Sequence, residues 1–163
     1  MYKDSTVKAL MSKSSEYIFV LWASDFEERV AATFVAELRQ AGLLVKVIGL
    51  TPGVLSGAHG LALVPDLPLS KALALAAQIS CIIIPTTPTH LAPLKNDPRL
   101  GELLERAYAH GARFVVGPPI CADKTITAVI PAPVEEIILY PEGQALSLFV
   151  QELIGLFLEK IDS

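Results

Sequence analysis

Two hydrophobic periods alternate along this chain. Unbroken apolar runs, as expected of strands buried on both faces, are separated by stretches whose apolar residues recur every three or four positions, as on one face of a helix. Tyr17 to Ala23 (YIFVLWA) is the first such run. Asp25 and Glu28 follow at the spacing of an N-cap and capping box. Val30, Phe34, Leu38 and Ala41 then predict an amphipathic helix, with Glu37, Arg39 and Gln40 on its other side and Gly42 as its C′ stop. Leu44 to Leu50 (LVKVIGL) is the second strand. Strand, helix and strand within about 35 residues make a βαβ unit, with a parallel sheet and a right-handed crossover.

The next stretch is broken into short pieces. Thr51-Pro52-Gly53 is a turn, Ser56 to Gly60 a short extended piece near an edge, Leu61 to Pro65 a short strand, and Pro68 to Gln78 a helix of one or two turns. Ile79 to Ile84 (ISCIII) is the clearest central strand, followed by the proline-stiffened loop Pro85-Thr86-Thr87-Pro88-Thr89-His90. Asp97-Pro98 is a strong helix start, an N-cap with proline at N1. Leu100, Leu103, Leu104, Ala107 and Tyr108 form its apolar stripe up to Gly111. Phe114 to Val116 is the fourth parallel strand, and it runs into Gly117-Pro118-Pro119-Ile120-Cys121. Beyond it, Thr125 to Ile130 and Glu135 to Tyr140 predict two more strands. A final helix from Gln144 to about Ile161 carries leucine and phenylalanine around most of its circumference, so it needs cover from the sheet and from another subunit. The pattern as a whole predicts a three-layer α/β sandwich with a mainly parallel sheet.

Composition narrows the function classes. With 52% hydrophobic and 18% charged residues, the 163-residue chain can bury a full core, read here as one domain over 16–163 behind a loose tail over 1–15. A net charge of −4 gives no reason to expect nucleic acid or an acidic membrane as partner. The two cysteines, Cys81 and Cys121, lie in separate segments without metal-ligand spacing, so no disulfide, zinc site or other metal is expected. This composition suits the cytoplasm. No apolar run reaches the ~18 residues of a membrane span. Gly57-x-x-Gly60 is too short for a phosphate loop and has no helix after it, so no cofactor is expected.

Asp25-Phe26-Glu27-Glu28, Glu37 to Gly42 with the Val-Lys-Val strand after it, Gly60 to Asp66, the Ile-Ile-Ile-Pro strand, the Asp97-Pro98 helix and Glu142-Gly143-Gln144-Ala145-Leu146 occur in an order and spacing that resembles the ThiJ/PfpI family. That family is part of the class I glutamine amidotransferase-like superfamily. The resemblance covers about residues 16–117 and 135–161, and it implies a flavodoxin-like sheet and a homodimer. It also implies what an active site would contain: a cysteine on a strand-to-helix elbow, a glutamate from the first helix beside it, a Pro-Gly-Gly turn donating N–H groups to an oxyanion, and often a histidine after the elbow. A thiolate needs a partner that sets its protonation, and the tetrahedral oxygen needs preorganised donors.

This chain departs from that pattern at each place. The glutamate position falls on Val30, beside Glu27 and Glu28, which read as first-turn charges favoured by the helix dipole. The oxyanion turn has become Pro85-Thr86-Thr87, where threonine disfavours the positive φ and close approach that glycine permits. An ungapped count puts the nucleophile at Pro118. The rival alignment puts it at Cys121, at the expense of two prolines inside a central strand. No histidine follows His110. Cys81 reads as a small core hydrophobe, Asp66 as a cap or turn, and His59, His90 and His110 as turn, loop and helix-end residues. The resemblance therefore implies a non-catalytic domain that binds a small ligand or a protein partner through a vestigial pocket of Glu27, Val30, Thr86, Thr87, Pro118 and Cys121. The alternative is a hydrolase or glyoxalase-like enzyme in which Cys121 works with His90 or Glu27.

Overall fold

A computed structural model of the chain describes residues 16–86, 95–117 and 129–162. In chain order the elements are β1 (Tyr17–Trp22), α1 (Glu28–Gln40), β2 (Leu44–Gly49), β3 (Leu55–Ser56), β4 (Ala62–Leu63), β5 (Leu67–Pro68), α2 (Leu69–Leu73), β6 (Ile79–Ile84), α3 (Pro98–Ala109), β7 (Arg113–Val116), β8 (Ile138–Leu139) and α4 (Ala145–Asp162). Six strands form a parallel sheet in the order β5-β2-β1-β6-β7-β8. β3 and β4 stand apart as a small antiparallel pair.

The central strands are apolar along their whole length because they are covered on both faces. Phe19 to Trp22 of β1 and Cys81 to Ile84 of β6 have no exposed surface. The chain leaves β1 in one direction to reach β2, and later returns to β1's other side as β6. With right-handed crossovers, the helices after β1 and β6 must then lie on opposite faces. Accordingly α1 packs with α4, where the Phe34 and Phe149 rings meet edge to face at 6.3 Å, while α2 packs with α3. This makes an α/β flavodoxin-like sandwich, and the reversal of strand order falls between β1 and β6. Their carboxyl ends flank the crevice where such folds bind ligands.

Several local expectations need correction. Asp25 does not cap α1; the N-cap is Glu27, which makes no side-chain cap bond. Asp25 instead takes a left-handed turn (φ 68°), tolerable for aspartate, and its N–H donates to Ser56 O. The stretch 135–140 is not one strand. Val134–Glu136 is a 3-10 turn set by Pro133, and only Ile138 and Leu139 reach β7. The predicted helix 68–78 divides into α2 and a 3-10 turn at Ala76–Gln78, with Leu67 and Pro68 ahead of it as a sheet-edge strand. The other strand expectation, Thr125 to Ile130, falls largely outside the described residues; its end, Val129 and Ile130, is a turn. α4 is less uniformly covered than its composition implied. Leu146, Val150, Leu153 and Ile154 are buried, but Leu148 (71%) and Leu156 (57%) face outward. No helix among the described residues is long and apolar enough to cross a membrane.

Asp66 is more than a turn residue. Its Oδ2 accepts from Val47 N–H at 2.7 Å and from Arg39 Nη2 at 2.7 Å, and Arg39 also donates to Val45 O. Its own N–H donates to Val47 O. One carboxylate thus ties the end of α1 to β2 and starts the pairing of β5. Asp66→Ala leaves the Val47 N–H without its acceptor and should cost about 1–2 kcal/mol, read as a lower urea midpoint with an unchanged m-value.

Candidate functional site

At the carboxyl ends of the central strands, the loop after β1 is bound to the loop after β6 by Glu27 N–H donating to Pro85 O at 2.8 Å. Beside this junction lies a cleft of about 620 Å³ lined by Glu27, Val30, Ala32, His59, Leu61, Tyr140, Glu142 and neighbouring residues. Its wall combines carboxylates with a strip of Val30, Ala32 and Leu61. Of the sequence-predicted pocket, Glu27 and Val30 come together here. Thr86 sits at the same edge but is buried (2% exposed) and does not line the cleft. Thr87, His90, Pro118 and Cys121 lie outside the described residues.

Tyr140, which the sequence presented only as a strand end, dominates the inner end of the cleft. It is 2% exposed, its N–H donates to Val116 O, and its ring meets Phe34 edge to face at 5.8 Å. A Cβ on Gly117 would stand 3.1 Å from the Tyr140 hydroxyl, so glycine at the end of β7 leaves the room the phenol takes. The hydroxyl donates to Glu27 Oε2 at 3.4 Å, long for a hydrogen bond. Burial raises its pKa above the ordinary phenol value, with the Glu27 charge, the bond to Glu27 and the Glu142 charge adding to the rise. A phenol before Pro-Glu-Gly, spaced from a lone glycine after a strand, is a faint signal that only the fold makes legible.

Glu28 is not the solvated first-turn charge that its position implied. It is 7% exposed. Its Oε1 accepts from His59 N–H at 2.6 Å and from His59 Nδ1 at 2.7 Å, and its Oε2 accepts from Leu61 N–H at 2.9 Å. Burial acts to raise its pKa, but the Leu61 and His59 amides and the His59 ring outweigh that and hold it below the usual carboxylate value. A Cβ on Gly57 would collide with Glu28 Oε2, so this close seat requires glycine. The Gly57-x-His59-Gly60 spacing was the available hint, but nothing local linked it to α1.

The remaining candidates are structural. Cys81 has no exposed surface, and burial pushes its thiol up to about 12 despite the lowering effect of Arg113. His110 ends α3 and its Nδ1 lies 2.8 Å from Arg106 O. Among the described residues, no three His, Cys, Asp or Glu side chains converge as a metal site would require. A second hollow of about 600 Å³ between Tyr108, Arg113, Glu136 and Ile138 lies at the opposite end of β7. The cleft can hold a ligand by charge and apolar contact. Among the described residues, no cysteine, serine or threonine lines it.

Tyr140 gives a pH-dependent expectation. Its phenol is held neutral in the fold but ionises freely once the chain unfolds. Its contribution to stability is therefore complete below about pH 10 and declines as pH rises from there toward the higher folded-state value. Thermal melts of the native chain should lose midpoint faster above that pH than melts of Tyr140→Phe, which has no proton to lose. Gly117→Ala, by crowding the ring, should destabilise by about 1 kcal/mol.

Neither a protein-family model nor a curated protein matches the sequence. Solved structures do. Toxoplasma gondii DJ-1 superposes with a TM-score of 0.66 at 18% identity, over 90% of this chain and 95% of that one. Drosophila melanogaster DJ-1beta gives 0.69 at 17% identity, over 91% and 94%. A DJ-1 superfamily protein of Salmonella typhimurium gives 0.58 at 22% identity, over 65% of this chain, which spans only 57% of that protein. At such identities the likeness is one of architecture: this chain has the flavodoxin-like α/β fold of the DJ-1/ThiJ/PfpI superfamily.

Proposed function

We propose that this chain is a non-catalytic ThiJ/PfpI-like domain that binds a small ligand or a protein segment in the cleft beside β1 and β6. The observation that carries this reading is the make-up of the crevice wall. Val30 provides an apolar wall where the family's glutamate would stand, and the buried Tyr140 phenol occupies the space against Gly117 and leans on the Glu27 carboxylate. β7 ends at Val116, two residues before Pro118 and five before Cys121, which favours Pro118 over Cys121 for the elbow position. On this reading Glu27, Val30, Thr86, Thr87, Pro118 and Cys121 are the remains of a reaction centre within a domain of residues 16–163 that follows a tail and works in the cytoplasm.

The exposed Leu148 and Leu156 of α4 support a homodimer. Light scattering on the purified chain should give twice the monomer mass, and Leu148→Asp with Leu156→Asp should lower it.

The thiol tests the loss of catalysis. Cys81 is too buried to react in the folded chain, so iodoacetamide labelling reports Cys121. Labelling at pH 7 should be slow, with no reactive phase at low pH. A fast phase at lower pH, or turnover of a thioester, amide or dicarbonyl compound that disappears in Cys121→Ser, would instead establish the cysteine enzyme.

A further inference from the structure

The β3–β4 hairpin is not hydrogen-bonded into the main sheet, and its two halves are attached to the body in different ways. Its base is fixed to the loop after β1: Asp25 N–H donates to Ser56 O, Ala58 N–H to Phe26 O, and Trp22 Nε1 to Leu55 O. Its tip is held by one side chain. All three donors that Glu28 accepts belong to His59 and Leu61. The tip is otherwise open to solvent, with the His59 side chain 86% exposed, Leu61 52% and Val64 76%. It turns on Gly57, pressed against Glu28, and on Gly60 at φ 86°. Both His59 and Leu61 line the same cleft as Glu27 and Tyr140.

We infer that residues 59–61 form a flap over the cleft and that the Glu28 carboxylate is its latch. A single carboxylate can accept all three donors only while ionised, because a protonated or amide oxygen would turn a donor toward one of them. One acceptor shared by all three donors is a single fastening: removing it frees the His59 and Leu61 amides together. The His59 ring reaches the same carboxylate, with Nδ1 2.7 Å from Oε1. Acid is therefore the releasing condition. Because the folded value of Glu28 lies below the ordinary one, the latch holds above the usual carboxylate range and lets go as pH falls through that lower value. The inference rests on the hairpin geometry, and stands or falls whether or not the cleft binds the proposed ligand.

Amide hydrogen exchange on the full chain tests it, with Glu28→Gln and Gly57→Ala as two independent ways to undo the latch. The first removes the ionised acceptor. The second keeps the charge and displaces it with a methyl group. Each variant should speed exchange at His59 and Leu61 by tenfold or more, while Ile82 and Val115 in the central strands stay at the native rate. The double variant should exchange no faster than the faster single one. Unchanged rates at His59 and Leu61 would overturn the latch. An equal acceleration at Ile82 and Val115 would mean that Glu28 supports the whole fold, and would equally overturn the flap.

Discussion

The structure depends on one constraint: β1 pairs in parallel with strands on both of its sides. Each parallel neighbour must be reached by a crossover that returns the chain to the same starting edge. Going first to β2 and later to β6, with crossovers of one hand, places α1 and α3 on opposite faces. Both faces of β1 and β6 are then dry, which is why Phe19 to Trp22 and Cys81 to Ile84 can be apolar without interruption. The same constraint aligns every strand's carboxyl end on one edge and opens a crevice where the order reverses.

What occupies that edge distinguishes this chain. Its first helix begins with two adjacent glutamates in opposite roles. Glu27 looks into the cleft toward Tyr140, while Glu28 turns into the hairpin and is consumed by three donors. Two glycines permit these arrangements: Gly117 makes room for a phenol and Gly57 for a carboxylate. The site is thus shaped by what small residues leave open as much as by the charged groups themselves. Beside those charges, Val30, Ala32 and Leu61 give the wall an apolar strip.

Much of this was legible before any coordinates. The long strands, the βαβ unit, the Asp97-Pro98 start of α3 and the glycine stop of α1 all follow from periodicity and local stereochemistry, because each is decided by residues within a turn or two of one another. The parallel sheet follows from the alternation of strands with helices. So does the burial of Cys81, which sits in a run too apolar to be anywhere but the centre.

Other features depend on neighbours brought from far along the chain. Glu28 looked like a surface charge because its partners lie 31 and 33 positions away, and Tyr140 looked like a strand end because Glu27 is 113 positions away. Of residues 134–140, only Ile138 and Leu139 met partners on β7, at Val115 and Val116. Sequence alone determined the long strands β1, β2, β6 and β7 and the helices α1, α3 and α4, and that they stack as a parallel α/β sandwich, since burial on two faces demands it. Only the tertiary structure decided which carboxylate is buried, which phenol fills the crevice and which glycines make space for them. Those outcomes depend on distances of a few ångströms between segments that no local pattern relates.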